Sequence, residues 1–123
     1  MREILFRGKA IDGNWYYGVP LVFAEDVILI AAPHTYSKNV ETSTIGQYTG
    51  LTDNNGTKIF EGDIVKGKDH LEKDLEVYGF IDHKNGSFVI VGDFMTHYRW
   101  LDYDVEVIGN IHDNPELLKE REG

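Results

Sequence analysis

The sequence predicts a mainly β protein, in which short antiparallel strands close on themselves and a short helix ends the chain. Gly occurs 13 times in 123 residues, and frequent Gly along a chain indicates many turns between short strands. Asp12-Gly13 and Asn85-Gly86 each lie between apolar-rich runs, which is a strong hairpin signal because tight hairpin turns need positive φ. Asp113 or Asn114 followed by Pro115 is typical of a helix start.

The first hairpin is predicted from apolar-rich runs at residues 3–10 and 14–19. Alternate side chains of a strand point to the same face. We therefore expect Trp15, Tyr17 and Val19 to share one face of the second strand.

A buried strand is predicted over residues 26–32, although periodicity alone would also allow a helix. The run is short and rich in β-branched residues, and Pro33 follows it, so a strand is favoured. Residues 34–44 are polar and are predicted to form a loop.

The segment over residues 45–65 is predicted to reverse direction twice. Residues 53–55 and Gly56 form the first turn, because Asp and Asn side chains bind nearby backbone and Gly adopts left-handed φ without strain. Gly62 and Asp63 form the second turn, with the Asp63 carboxylate binding backbone N–H groups.

The second half of the chain is predicted to begin with a long, charged, exposed loop at residues 66–76, within which residues 69–76 could form one or two helical turns. Strands at 75–82 and 87–92 then flank Asn85-Gly86, and an alternating strand follows at 104–111. This order completes the predicted antiparallel barrel.

We expect a single domain, because 123 residues leave little room for a second core. Its predicted parts are N-terminal strands and a loop at 1–43, a barrel core at 44–112 and a C-terminal helix at 113–121.

Three motifs resemble the YopX family of small proteins encoded by phages and prophages, mostly of Gram-positive bacteria. They are REILFRG at 2–8, IGQYTGLTDNNGTKIFEGDIV at 45–65 and EVIGNIHDNPELL at 106–118. They come in the family's order and run from one end of the chain to the other. The resemblance implies a mainly β fold related to SH3-type barrels. It supplies neither a biochemical role nor catalytic residues.

The charge balance argues against nucleic acid as a partner. The chain has 12 basic and 21 acidic residues and a net charge of -9, whereas nucleic-acid binders need a basic face. No secretory signal and no apolar run long enough to span a bilayer occur, so we expect a cytoplasmic protein with no membrane contact.

Catalytic and metal-binding signatures are weak. The chain has no Cys, and its five His residues lack the spacing that puts two ligands on one element, so we expect no metal and no cofactor. Glu61 and Asp63 are close enough in sequence for acid–base work or cation binding, but a turn role for Asp63 is favoured. Asp82 and His83 are neighbours and would point to opposite faces of a strand.

An aromatic cluster is the candidate partner-binding surface. It combines aromatic side chains with an arginine, a composition enriched in protein interfaces, and comprises Tyr98, Arg99, Trp100 and Tyr103. The alternative is that Tyr98 and Trp100 belong to the core.

The favoured function is a non-enzymatic phage accessory protein that binds another protein and could self-associate. The first alternative is nucleic-acid binding through the barrel face, which would have to gather Arg2, Arg7, Lys9, Lys66, Lys68 and Arg99. A related alternative is an acidic DNA mimic. An enzyme built around Asp63 and a distant His is the third.

Overall fold

The computed structural model describes residues 3–69, 76–92, 96–97 and 103–119. The described chain is almost entirely β, with eleven strands, one 3-10 helix at Thr42–Thr44 and one short α-helix, α1 at Glu116–Lys119. The strands are β1 Phe6–Lys9, β2 Trp15–Ala24, β3 Val27–Ala32, β4 Tyr36–Val40, β5 Gly46–Thr52, β6 Lys58–Phe60, β7 Asp63–Asp69, β8 Glu76–Lys84, β9 Ser87–Gly92, β10 Thr96–His97 and β11 Tyr103–Asn110.

The strands form two antiparallel sheets. One has the order β4-β3-β2-β1-β5-β6 and the other the order β10-β9-β8-β7-β11. Mainly β structure with very little helix is therefore confirmed. A closed SH3-type barrel is not confirmed, because among the described residues no ladder joins the two edges of either sheet.

The chain divides into two compact units, residues 1–50 and 51–123. The core of the first unit is formed by Ala10, Ile30 and Val40, with Phe6, Tyr16 and Ile45 packed against it. The core of the second unit is larger and comprises Ile59, Val65, Val77, Ile81, Ile90 and Val105. The single domain with parts at 1–43, 44–112 and 113–121 stays a prediction.

The end of β4 returns to β1 at one point of the first unit. Ala10 and Val40 form an isolated bridge, and the N–H of Glu41 donates to the carbonyl of Lys9 at 2.9 Å. A single bridge without a following ladder leaves the sheet open.

The predicted loop at 34–44 is wrong, because β4 and the 3-10 helix occupy most of it. All five residues of β4 pair with β3, from Ala32 opposite Tyr36 to Ile28 opposite Val40. Val40 is buried in the core. Ladder hydrogen bonds and this one anchor stabilise a strand whose polar sequence resembles a loop.

The predicted exposed loop at 66–76 is also wrong over its first residues, because β7 continues to Asp69. This part of β7 lies between β8 and β11 and pairs with both. Gly67 permits the close approach of β11, since a Cβ at this position would lie 3.0 Å from the Asp104 carbonyl oxygen. Residues 70–75 lie outside the described chain.

The C-terminal helix is present as α1. The Asn114 side-chain oxygen accepts the backbone N–H of Asn110 at 3.2 Å, and its carbonyl accepts the N–H of Leu117 at 3.0 Å. Asn114 and Pro115 therefore lead into this helix, which the structure describes as far as Lys119.

Candidate functional site

Most of the predicted partner-binding cluster lies outside the described residues. This holds for Tyr98, Arg99 and Trp100, whereas Tyr103 begins β11 and its backbone pairs with Asp69. The side chain of Tyr103 is not described. A partner-binding role for this cluster stays a prediction.

Asp12 and Gly13, the turn of the first predicted hairpin, lie between β1 and β2. Gly13 has a φ of 85°, and its N–H donates to the carbonyl of Ala10 at 2.9 Å. Asp12 Oδ1 accepts the N–H of Asn14 at 2.8 Å, and Asp12 Oδ2 accepts the hydroxyl of Tyr16 at 2.8 Å. These two donors, the N–H of Asn14 first, hold the pKa of Asp12 below its usual value. Hydrogen bonding to Asp12 raises the pKa of Tyr16.

Asp53 organises the turn that contains Gly56, whose φ is 82°. Its Oδ1 accepts the N–H groups of Asn55 and Thr57 at 2.8 and 2.9 Å, and its Oδ2 accepts the N–H of Val107 at 2.9 Å. Burial alone would raise the pKa of Asp53, but the three N–H donors outweigh burial and lower it. This buried carboxylate is therefore charged and structural.

Asp63 has a similar role in the following turn. Gly62 there has a φ of 93°, and Asp63 Oδ2 accepts the N–H of Phe60 at 2.7 Å. Asp63 is buried and Glu61 is half-buried. A carboxylate committed to backbone in this way is poorly placed for acid–base work, so the geometry favours the turn role.

Asn85 and Gly86 form the loop between β8 and β9, where Lys84 lies opposite Ser87. Both have positive φ, 53° and 82°, as a type I′ hairpin turn requires. The adjacent Asp82 accepts the backbone N–H of His83 at 2.8 Å, and the His83 ring packs edge-on against Phe88. These contacts do not assemble a catalytic dyad from Asp82 and His83.

The structure presents a different candidate surface, an exposed apolar strip on one face of β2. Its members are between 42% and 68% exposed and occupy alternate positions, which places them on the same face. We call this set the outer strip; it consists of Tyr17, Val19, Leu21 and Phe23. Leu29 of β3 lies directly opposite Leu21, and Ala31 lies opposite Val19, so β3 extends the apolar surface sideways.

A bulge shapes the far end of the outer strip. The register between β2 and β3 shifts between Val22 and Ala24, so Phe23 is the extra residue. In such a bulge, two neighbouring residues oppose one residue on the partner strand. Phe23 remains exposed next to Val27, which is exposed as well. Large apolar side chains thus reach the tip of the β2–β3 hairpin.

Aromatic contacts hold the opposite, packed face of this unit. The Tyr36 hydroxyl donates to the Tyr17 carbonyl at 2.9 Å and accepts the Tyr17 N–H at 3.2 Å. The ring of Tyr36 packs edge-on against Tyr16, with centroids 5.3 Å apart, and Lys38 Nζ lies 5.6 Å from the Tyr16 ring centroid. Tyr36 of β4 therefore contacts both Tyr16 and the backbone of Tyr17, and these contacts hold the β2 backbone that carries the outer strip.

The second sheet has a charged surface around Lys66 and Lys68 of β7. Pairing places Glu106 and Tyr78 opposite Lys66, and Asp104 and Glu76 opposite Lys68. We call this set the charged face. It lines most of an open cavity of about 380 Å³. A carboxylate lies opposite Lys66 on one side and opposite Lys68 on both sides. These carboxylates lower the local positive potential, which does not favour a nucleic-acid site.

The other basic residues considered for nucleic acid are dispersed. Arg7 is buried, and its guanidinium carbon lies 4.8 Å from the Trp15 ring centroid. Arg2 and Arg99 lie outside the described residues. Within the described ranges, no group of three or more His, Asp or Glu side chains could hold a metal ion, and no helix is long and apolar enough to cross a membrane.

A family model described as YopX protein matches residues 22–119. The chain belongs to the YopX family. It is also similar to a solved structure, the crystal structure of protein EF1440 from Enterococcus faecalis, with 28% sequence identity and a TM-score of 0.59. That match covers 96% of this chain and 99% of the other. No curated protein matches the chain.

Membership of the YopX family brings no site residue with it, so geometry alone defines the candidate surface of this YopX chain. The family match begins at Val22, inside β2, and most of the outer strip precedes it. Sequence reasoning placed Tyr17 and Val19 on one face but ended the strand at residue 19. The alternation of large apolar residues through Leu21 and Phe23 was the available signal.

Pro20 interrupts that alternation, and proline is confined in sheets to edge strands, strand starts and bulges. In the structure β1 pairs only with the first part of β2, up to Gly18 opposite Phe6. Pro20 lies beyond that ladder and opposite Ile30 of β3. Its missing N–H therefore costs no hydrogen bond to β1, and β2 continues through it.

Proposed function

We propose that this YopX-family protein is a non-enzymatic phage or prophage accessory protein that acts in the host cytoplasm by binding protein. The observation that carries the proposal is the outer strip. Solvent-facing positions of an antiparallel sheet are normally polar, as on the charged face of this chain. An exposed group of large apolar side chains marks an interaction surface.

The chemistry of the outer strip defines the kind of partner. It carries no charged side chain from Tyr17 to Phe23, and its neighbours on β3, Leu29 and Ala31, are also uncharged. On the β1 side Arg7 lies opposite Tyr17, but its side chain is buried. A net charge of -9 repels polyanions. The fitting partner is therefore a protein surface with an apolar, uncharged strip of its own.

Site-specific photo-crosslinking in host cells tests the proposal. A photoreactive amino acid replaces Val19 in the outer strip, and matched proteins carry it at Val22, which is 72% exposed on the opposite face of β2, and at Lys66. We expect protein adducts from position 19 and far fewer from positions 22 and 66. Equal yields at positions 19 and 22 would contradict a role for the outer strip.

A fourth position separates this surface from the predicted aromatic cluster. The photoreactive amino acid at Trp100 reports on that cluster. Strong adducts from position 100 together with none from position 19 would assign partner binding to the aromatic cluster. Adducts from position 19 alone would assign it to the outer strip.

A further inference from the structure

We infer that the outer strip binds a second copy of this chain, face to face and antiparallel about a two-fold axis. This inference rests on the proposed function and names its partner. A two-fold interface brings the same patch of both subunits together and must therefore be complementary to itself.

The order of residues in the outer strip has this self-complementarity. The strip reads aromatic, aliphatic, aliphatic, aromatic, from Tyr17 through Val19 and Leu21 to Phe23. When one copy is reversed against another about an axis near Pro20, Tyr17 faces Phe23 of the second copy and Val19 faces Leu21. Each aromatic ring thus meets a ring, and each aliphatic side chain meets an aliphatic side chain.

The charges flanking the outer strip favour the same arrangement. Glu25 and Asp26 form the turn at the tip of the β2–β3 hairpin, next to Phe23. Lys9 lies opposite Trp15 at the other end of the same face. Reversal brings the acidic tip of one copy towards Lys9 of the other, at the end where Asp12 is the acidic residue of the β1–β2 turn. A parallel arrangement would instead place the two acidic tips together.

The overall charge of the chain favours the outer strip over the charged face as the surface that binds a second copy. Two chains of net charge -9 repel each other, so association requires a contact area free of acidic residues. The outer strip meets this requirement, and the charged face does not. The exposed apolar area is on the order of 400 Å² per chain, below the roughly 800 Å² per partner of a standard interface. A weak, concentration-dependent association is therefore expected.

Sedimentation equilibrium of the purified full chain tests the second copy directly. We expect the mean mass to rise from the 14.0 kDa of one chain towards twice that value with concentration. Val19→Glu should weaken association at least tenfold. Val22→Glu is the matched control, with the same chemical change on the same strand but the opposite face, and should leave association unchanged.

Folding of the variants is checked by circular dichroism and by the urea midpoint. If Val19→Glu does not fold, Phe23→Ser at the exposed hairpin tip replaces it. If the purified protein stays monomeric up to several hundred micromolar, the inference that the outer strip binds a second copy is wrong. If Val19→Glu and Val22→Glu weaken association equally, the outer strip is not the surface through which the two copies associate.

Cross-linking tests the antiparallel orientation. Because the chain has no native Cys, only the introduced Cys residues can react. Facing sheets lie about 10 Å apart, so a bismaleimide of similar length is used in place of a direct disulfide. A mixture of Tyr17→Cys and Phe23→Cys chains should cross-link faster than either variant alone. Faster cross-linking within each single variant would overturn the antiparallel orientation.

The two proposals fail in different ways. If the purified protein is monomeric while position 19 gives photo-adducts with another protein, the inferred self-association is wrong and the proposed function stands. If position 19 gives no adducts of any kind in cells, the outer strip is not the binding surface. If position 100 gives none either, the proposed function is wrong as well.

Discussion

Asp53 and Val107 are 54 positions apart in the chain and are joined by a hydrogen bond of 2.9 Å from the Val107 N–H to the Asp53 carboxylate. The same carboxylate caps its own turn through Asn55 and Thr57. The next N–H, that of Asn54, donates to the Val105 carbonyl at 3.1 Å. One turn thereby holds β11 beside its register shift between Val107 and Gly109.

Replacing Asp53 by Asn should destabilise the fold. The amide keeps one acceptor oxygen but loses the charge, and the buried N–H groups that it served lose part of their hydrogen bonding. We expect the free energy of unfolding to fall by about 2 kcal/mol in urea titrations at neutral pH. Asp26→Asn, at an exposed hairpin tip, is the control and should change stability little. Equal stability of both variants would contradict the role of Asp53.

The contribution of Asp53 should depend on pH in a defined direction. Its folded-state pKa lies below the ordinary value of 3.8, so folding favours the charged form. The stabilisation is complete above the unfolded-state pKa and is lost as the pH falls through the folded-state pKa. The stability difference between wild type and Asp53→Asn should therefore be constant near neutral pH and shrink below about pH 4. A difference that grows in acid would contradict this sign.

Gly56 should tolerate few side chains, although space is available. A Cβ at this position would meet no atom within 4 Å, but the φ of 82° strains most residues. We expect Gly56→Val to lower the free energy of unfolding by about 1–3 kcal/mol. Gly56→Asn should cost less, because Asn accepts left-handed φ. Denaturation midpoints that are the same for wild type and both variants would remove the conformational argument.

Nucleic-acid binding should be absent or weak. We predict no binding to duplex or single-stranded DNA tighter than about 10 μM at roughly 150 mM salt. Fluorescence anisotropy with labelled oligonucleotides measures it. Submicromolar, salt-sensitive binding that Arg99→Ala and Lys66→Ala weaken would place nucleic acid on this protein and contradict the proposed partner.

Much of the fold could be predicted from the sequence because turn chemistry is local. The hairpin at Asn85 and Gly86 depends on the φ preferences of two residues, and the start of α1 depends on Asn114 and Pro115 within one turn of chain. Such contacts form between near neighbours, and they indicated a mainly β chain with a short terminal helix.

Strand length was decided by tertiary pairing. β4 has a polar sequence, and the end of β7 is charged, so neither looked like a strand. Both are strands because neighbouring strands satisfy their backbone N–H and C=O groups. A residue-by-residue pattern contains no information about that partner. The predicted end of β2 at residue 19 was too early for the same reason, because pairing with β3 continues the strand to Ala24.

The candidate site depended on the three-dimensional structure to a still greater degree. Sequence alternation shows which side chains share a face, as it did for Tyr17 and Val19. It does not show which face is packed, because exposure depends on residues that are distant in sequence and close in space. The packing of Ile30 and Val40 on one face of the first unit, with Leu21 and Phe23 left exposed on the other, was decided by tertiary structure.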